Sequence, residues 1–146
     1  MTNDPVCPFC RIVRDGETAF IIYEDAASIA FLDREPAAEG HTLVVPRVHS
    51  RNLFDIDPHV ASALLASAAR VARVLNAALH PDGLTMIQTN EAAGWQSVFH
   101  FHLHLIPRWV DDTLAPPWES GPVADDSLAR VRSRILSAID PRAFEG

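Results

Sequence analysis

Residues 98 to 108 read Val-Phe-His-Phe-His-Leu-His-Leu-Ile-Pro-Arg, and the rest of the chain is understood from this stretch outward. His100, His102 and His104 alternate with Phe101, Leu103 and Leu105. Successive side chains of a β-strand point to opposite faces, so strict alternation sends three imidazoles one way and three apolar groups the other. The spacing predicts a strand over 98 to 106 whose apolar face packs on a core. Two chemistries suit three aligned imidazoles. His-x-His on a strand can converge on a catalytic metal, because neutral imidazole suits Zn²⁺. Alternatively, one imidazole is a nucleophile, and its neighbours orient it and bind an anionic substrate.

The chain around this stretch predicts an α+β domain. Pro8 suits a first helical position and Gly16 a stop, so residues 8 to 15 read as a short helix. Residues 18 to 24 and 28 to 32 read as a hairpin around Asp25-Ala26. A loop punctuated by Pro36 and Gly40 leads into a third strand, His41 to Val45. Asp57 is the predicted N-cap and Pro58 the first residue of the main helix. Val60, Leu64, Ala68, Val71, Leu75 and Leu79 recur at three and four along it and form one stripe. Residues 84 to 89 read as a fourth strand, and the histidine strand is the fifth. A loop rich in Pro, Asp and Trp follows, then an amphipathic helix over 127 to 139. Strands in neighbouring pairs, with one long helix between the third and fourth, predict a mostly antiparallel sheet.

Composition sets limits. The 146 residues suit one domain over the whole chain, with a core over about 5 to 108, and a 48% hydrophobic content is that of a globular protein. No run approaches the 18 apolar residues of a membrane span. The first residues lack the basic and apolar regions of a secretory leader, so the expected location is the cytoplasm. A net charge of −7 argues against a nucleic-acid polymer as partner, while leaving room for a nucleotide held by a local cluster of donors. The cysteines are Cys7 and Cys10, in Cys-Pro-Phe-Cys. In a reducing compartment this pair reads as a redox couple, half of a zinc site, or two packed thiols.

The fuller pattern, Asn90 with Gly94-Trp95-Gln96-Ser97-Val98 and the alternating histidines, resembles the histidine triad family of nucleotidyl hydrolases and transferases. Phe31-Leu32-Asp33 and the segment from Gly40-His41 to Val48-His49 are similar to two further family segments in the same order. The resemblance covers about residues 5 to 108. In two respects the chain departs from the family: the loop from Asn90 to His100 is a residue shorter, and Trp95 stands where a small residue is common. The resemblance implies a five-stranded antiparallel sheet with a long helix, and a nucleotidyl-histidine formed on His102. It assigns a phosphate donor to His104, and the His100 carbonyl is expected to hold the distal nitrogen of His102. Gln96, Ser97 and Asn90 are placed to reach phosphate or leaving-group oxygens, and Asp33 to accept both ribose hydroxyls. Phe9, Ile12, Ile29 and Phe31 are candidates for the walls of a base pocket, and His41 for a partner behind the triad. Cys7, Cys10, His49 and His100 are the expected ligands of a structural zinc. The implied substrates are purine nucleotides bonded through the α-phosphate, either dinucleoside polyphosphates or nucleoside phosphoramidates, and the implied assembly is a homodimer. A metallohydrolase with the triad as ligands, and a nucleotide-binding regulatory protein with little turnover, are the competing readings.

Overall fold

The computed structural model describes residues 4–16 and 18–140. They fall into two compact units that divide between Thr113 and Leu114. The first is built from α1 (Pro8–Asp15), β1 (Ile21–Glu24), β2 (Ser28–Leu32), β3 (Thr42–Pro46), α2 (Pro58–Leu79), β4 (Gly83–Ile87) and β5 (Leu103–Arg108). The second holds α3 (Asp125–Ser137), which buries none of its residues. The five strands form one sheet in the order β1-β2-β3-β5-β4, with every pairing antiparallel.

Both helices of the first unit start and stop where local chemistry requires. Cys7 caps α1, and Gly16 ends it at φ 62°, a left-handed conformation that glycine adopts without steric cost. Asp57 caps α2 by accepting from the His59 amide, and His80 closes it at φ 49°. By length and mean hydropathy α2 resembles a membrane span. It nevertheless carries Arg70 and Arg73, and its stripe of Leu64, Ala68, Val71 and Leu75 packs against Ala30, Val44, Phe101, Leu103 and Leu105 on one face of the sheet. Ser67 lies buried in that stripe because its hydroxyl donates to Asp25 at 2.6 Å. Asp25 also accepts from Tyr23 and from the Ala27 and Ser28 amides, so one carboxylate ties the β1–β2 turn to α2.

The other face carries Ile29, Phe31, Leu43 and Val45, packed against Cys7, Phe9 and Cys10 of the α1 region. With both faces covered, β2 and β3 read as continuous apolar runs. Ile29 lies wholly in this core.

The histidine strand is shorter than its pattern. Ladder pairing starts at Leu103, and residues 98 to 102 are irregular. The next β3 partner after Val44 and Val45 is Pro46, which has no N–H to donate, and the chain then turns away toward His49. The Phe101 amide bonds instead to the Ser50 carbonyl at 2.7 Å. Alternation survives this change: Phe101, Leu103 and Leu105 all face α2.

Candidate active site and metal cluster

The histidines occupy the face opposite α2; His102 and His104 line a cavity of about 700 Å³, and the His100 ring lies against Cys7, Cys10 and His49. Phe9, Ile12, Phe31, Asp33, Ser97, His102 and His104 all line it. Phe9 stacks edge-on against Phe31 at 5.5 Å and against His102 at 5.1 Å, so the apolar wall runs up to the triad.

Main-chain groups fix which ring nitrogen carries each proton. His102 Nδ1 lies 2.6 Å from the His100 carbonyl oxygen. A carbonyl only accepts, so Nδ1 holds the proton and Nε2 keeps a lone pair. The Ala37 amide donates to His41 Nδ1 at 3.0 Å, which leaves the His41 proton on Nε2. That Nε2–H donates to His104 Nδ1 at 2.9 Å, and the His104 proton is therefore on Nε2. His100 Nε2 donates to the Pro46 carbonyl at 3.0 Å, so His100 Nδ1 is a free lone pair. Burial lowers the pKa of His41 and of His102, the latter opposed by its carbonyl bond. Burial, with His102 and His41 alongside, pushes His104 down to about 4. All three rings are neutral at pH 7.

Cys7, Cys10, His49 and His100 place their ligand atoms within 4.8 Å of one another. His100 Nδ1 lies 3.5 Å from each sulfur and 3.2 Å from His49 Nδ1, and Cys10 Sγ lies 3.3 Å from His49 Nδ1. A tetrahedral zinc with bonds of about 2.3 Å to sulfur and 2.0–2.1 Å to nitrogen requires roughly 3.6 Å between S and N and roughly 3.3 Å between nitrogens. The cluster fits these values, and the His100–carbonyl bond is of the kind that orients a metal-bound imidazole. Burial beside Cys7 pushes the Cys10 thiol up to about 11, so an ion would have to displace its proton.

A second group, Asp33, His41 and His104, also converges. Here the His41 Nε2 proton already lies between the two rings, so this group acts as a hydrogen-bond relay. Among the described residues His102 belongs to neither cluster, and His100 and His104 fall in different ones. The described residues therefore do not gather the triad as three ligands of one ion.

Two sequence expectations change. Gln96 is buried; it accepts from the Glu91 amide at 2.8 Å and donates to the Arg51 carbonyl at 2.6 Å and the Val98 carbonyl at 3.1 Å. Its amide braces the turn and is not brought to the cavity. Asn90 likewise accepts from the Leu53 amide at 2.7 Å and donates to Gln88 at 2.6 Å. Asp33 stands at the cavity wall, its carboxylate accepting from the Glu35 amide at 2.9 Å and lying 3.6 Å from His41 Nε2. Sequence reasoning missed Arg11, Arg14, Asp15 and Thr18, which line the cavity away from the triad. The helical spacing from Phe9 and Ile12 was the available signal for Asp15 alone.

The HIT domain family model matches residues 15–110. This chain belongs to the HIT family. A Bacillus subtilis relative, "Protein hit", is 33% identical over 93% of both chains. An adenosine 5'-monophosphoramidase of Saccharomyces cerevisiae is 32% identical over 95% of this chain and 86% of its own. An adenylylsulfatase of Arabidopsis thaliana is 32% identical over 95% and 69%. Among solved structures, a HIT family protein from Bacillus anthracis superposes with a TM-score of 0.84 at 33% identity, covering 93% of this chain and 99% of that one. A Zn-bound histidine triad protein from Mycobacterium smegmatis superposes at 0.72 with 35% identity, covering 92% and 98%.

Proposed function

We propose that this HIT protein cleaves a purine nucleotide from a group bonded to its α-phosphate, through a nucleotidyl-histidine on His102. The observation that carries the reading is the 2.6 Å contact of His102 Nδ1 with the His100 carbonyl, which leaves a bare Nε2 lone pair on a neutral ring at the cavity wall. Two relatives named for splitting adenylyl conjugates support the bond type.

His102 Nε2 attacks the α-phosphorus and forms a P–N bond. The bond to the leaving group breaks with its electron pair, while His104 Nε2–H hydrogen-bonds the departing atom, which takes its proton from solvent. Water then attacks phosphorus and releases a proton to solvent, and the P–N bond breaks to restore His102. His41 holds His104 in the tautomer that can donate. Ser97 donates to a phosphate oxygen, and Asp33 accepts the ribose hydroxyls. Phe9, Ile12 and Phe31 wall the base. Cys7, Cys10, His49 and His100 would hold a structural zinc, which supplies a cross-link between the α1 region and the triad segment. Phosphoramidates and dinucleoside polyphosphates both present the required bond.

The test is rapid quenching of enzyme with an adenylated substrate, without acid, followed by intact mass measurement. The expected result is a gain of one nucleoside monophosphate. His102→Ala should show no adduct and a rate lower by several orders of magnitude, since the covalent route itself is lost. An active His102→Ala protein, with no adduct under any quench, would overturn the assignment.

A further inference from the structure

We propose that Arg11 and Asp15 make the base pocket selective for guanine over adenine. The inference rests on the nucleotide reading above, with the α-phosphate at His102 and the base running along α1.

Phe9 touches His102, and α1 leads away from it. At 1.5 Å rise per residue, Asp15 lies about 9 Å farther along the helix axis than Phe9. That is the reach of a nucleoside measured from its phosphate to the far edge of its base. Ile12 lies midway, where the flat face of the base belongs. The polar edge then meets the last turn of α1.

Arg11 and Asp15 both line the cavity there, one helical turn apart. Among the described residues they do not pair with each other. Asp15 is held by Arg14 instead, through Nε at 2.9 Å to both oxygens and Nη2 at 2.6 Å to one. This fixes the carboxylate and leaves lone pairs on its outer side. Arg11 forms no ion pair among the described residues, and its donors are available to the cavity.

A cation and an anion on one helix face, their Cβ atoms about 5–6 Å apart, can address two adjoining edges of guanine. The guanidinium donates to O6 and N7, the commonest arginine contact to this base. The carboxylate accepts from N1–H and the exocyclic N2–H₂. Adenine inverts both positions: its N6 amine meets the guanidinium, and its N1 lone pair meets the carboxylate. Sites that hydrogen-bond a polar group discriminate strongly against an analogue lacking it, because their own groups are left unpaired.

The experiment is calorimetric titration of the full-length protein with GMP, IMP and AMP. GMP should bind about 10- to 100-fold more tightly than AMP, as expected for two charged hydrogen-bonding sites. IMP, which lacks the N2 amine, should fall between them. Asp15→Asn should remove most of the preference by weakening GMP, with AMP little changed. Arg11→Gln should weaken GMP and IMP together. Equal binding of GMP and AMP, or a preference that survives Asp15→Asn, would overturn the inference while leaving the nucleotide reading intact. Binding of none of the three would remove the nucleotide reading, and this inference with it.

Discussion

Neutral His104 carries its one proton on Nε2 and accepts from His41 at Nδ1, and burial beside His102 and His41 pushes its pKa down to about 4. An unfolded histidine titrates near 6.5. Between these values the unfolded chain binds the extra proton and the folded chain does not, so stability falls as pH drops from about 6.5 to about 4. The lowered His41 acts in the same direction. A melting series in this range should show Tm declining toward acid, with the decline diminished in His104→Gln. The acid limb of kcat/KM should likewise lie below 6.5, and a limb at or above that value would contradict a buried neutral triad. At this scale the sequence was informative about which side chains matter and much less about where they point. The alternation put the triad histidines on one face, and the family resemblance, not spacing, pointed to the meeting of His41 with His104 and of His49 with the cysteines and His100. Gln96 and Asn90 are not brought to the cavity, because a side-chain amide in a turn can satisfy the main chain as readily as a substrate, and no periodicity distinguishes the two.

The helices were legible because prolines, caps and glycines mark their ends: α1 and α2 begin at Pro8 and Pro58 as expected. The strands were legible in number and pairing, and less so in their limits. The alternation of 98 to 106 continues through residues whose hydrogen-bond partner strand has already ended at a proline, a constraint that lies on the neighbouring strand. Gly40 is a connection sensitive to substitution. It adopts φ 76°, and a Cβ there would collide with Leu79 Cδ1 near the end of α2. Gly40→Ala therefore combines left-handed strain with overpacking, at an expected cost of about 2–4 kcal/mol. Chemical denaturation of the two proteins measures this, and a loss under 1 kcal/mol would mean that the loop from 33 to 40 relaxes freely.

At the scale of the molecule, β4 is an edge strand with Leu84 and Met86 exposed, and α2 exposes Leu65 and Val74. An open edge invites pairing with another chain. A twofold dimer through β4 is the expected assembly, and sedimentation at micromolar concentration should show about twice the 16.0 kDa of one chain. A single species at the monomer mass would refute it. His100 adds a second consequence. Its ring belongs to the Cys7–Cys10–His49 cluster, while its carbonyl holds His102, the proposed nucleophile. Oxidants therefore have a route to catalysis that bypasses the cavity. Peroxide that converts Cys7 and Cys10 to a disulfide would release any bound zinc, loosen the His100 ring and let its carbonyl drift from His102 Nδ1. Turnover should fall several-fold while nucleotide affinity changes little, and thiol reductant with zinc should restore it. Unchanged turnover in the fully oxidised protein would show that the His100 main chain holds its place without the cluster, and that the enzyme keeps working under oxidative stress.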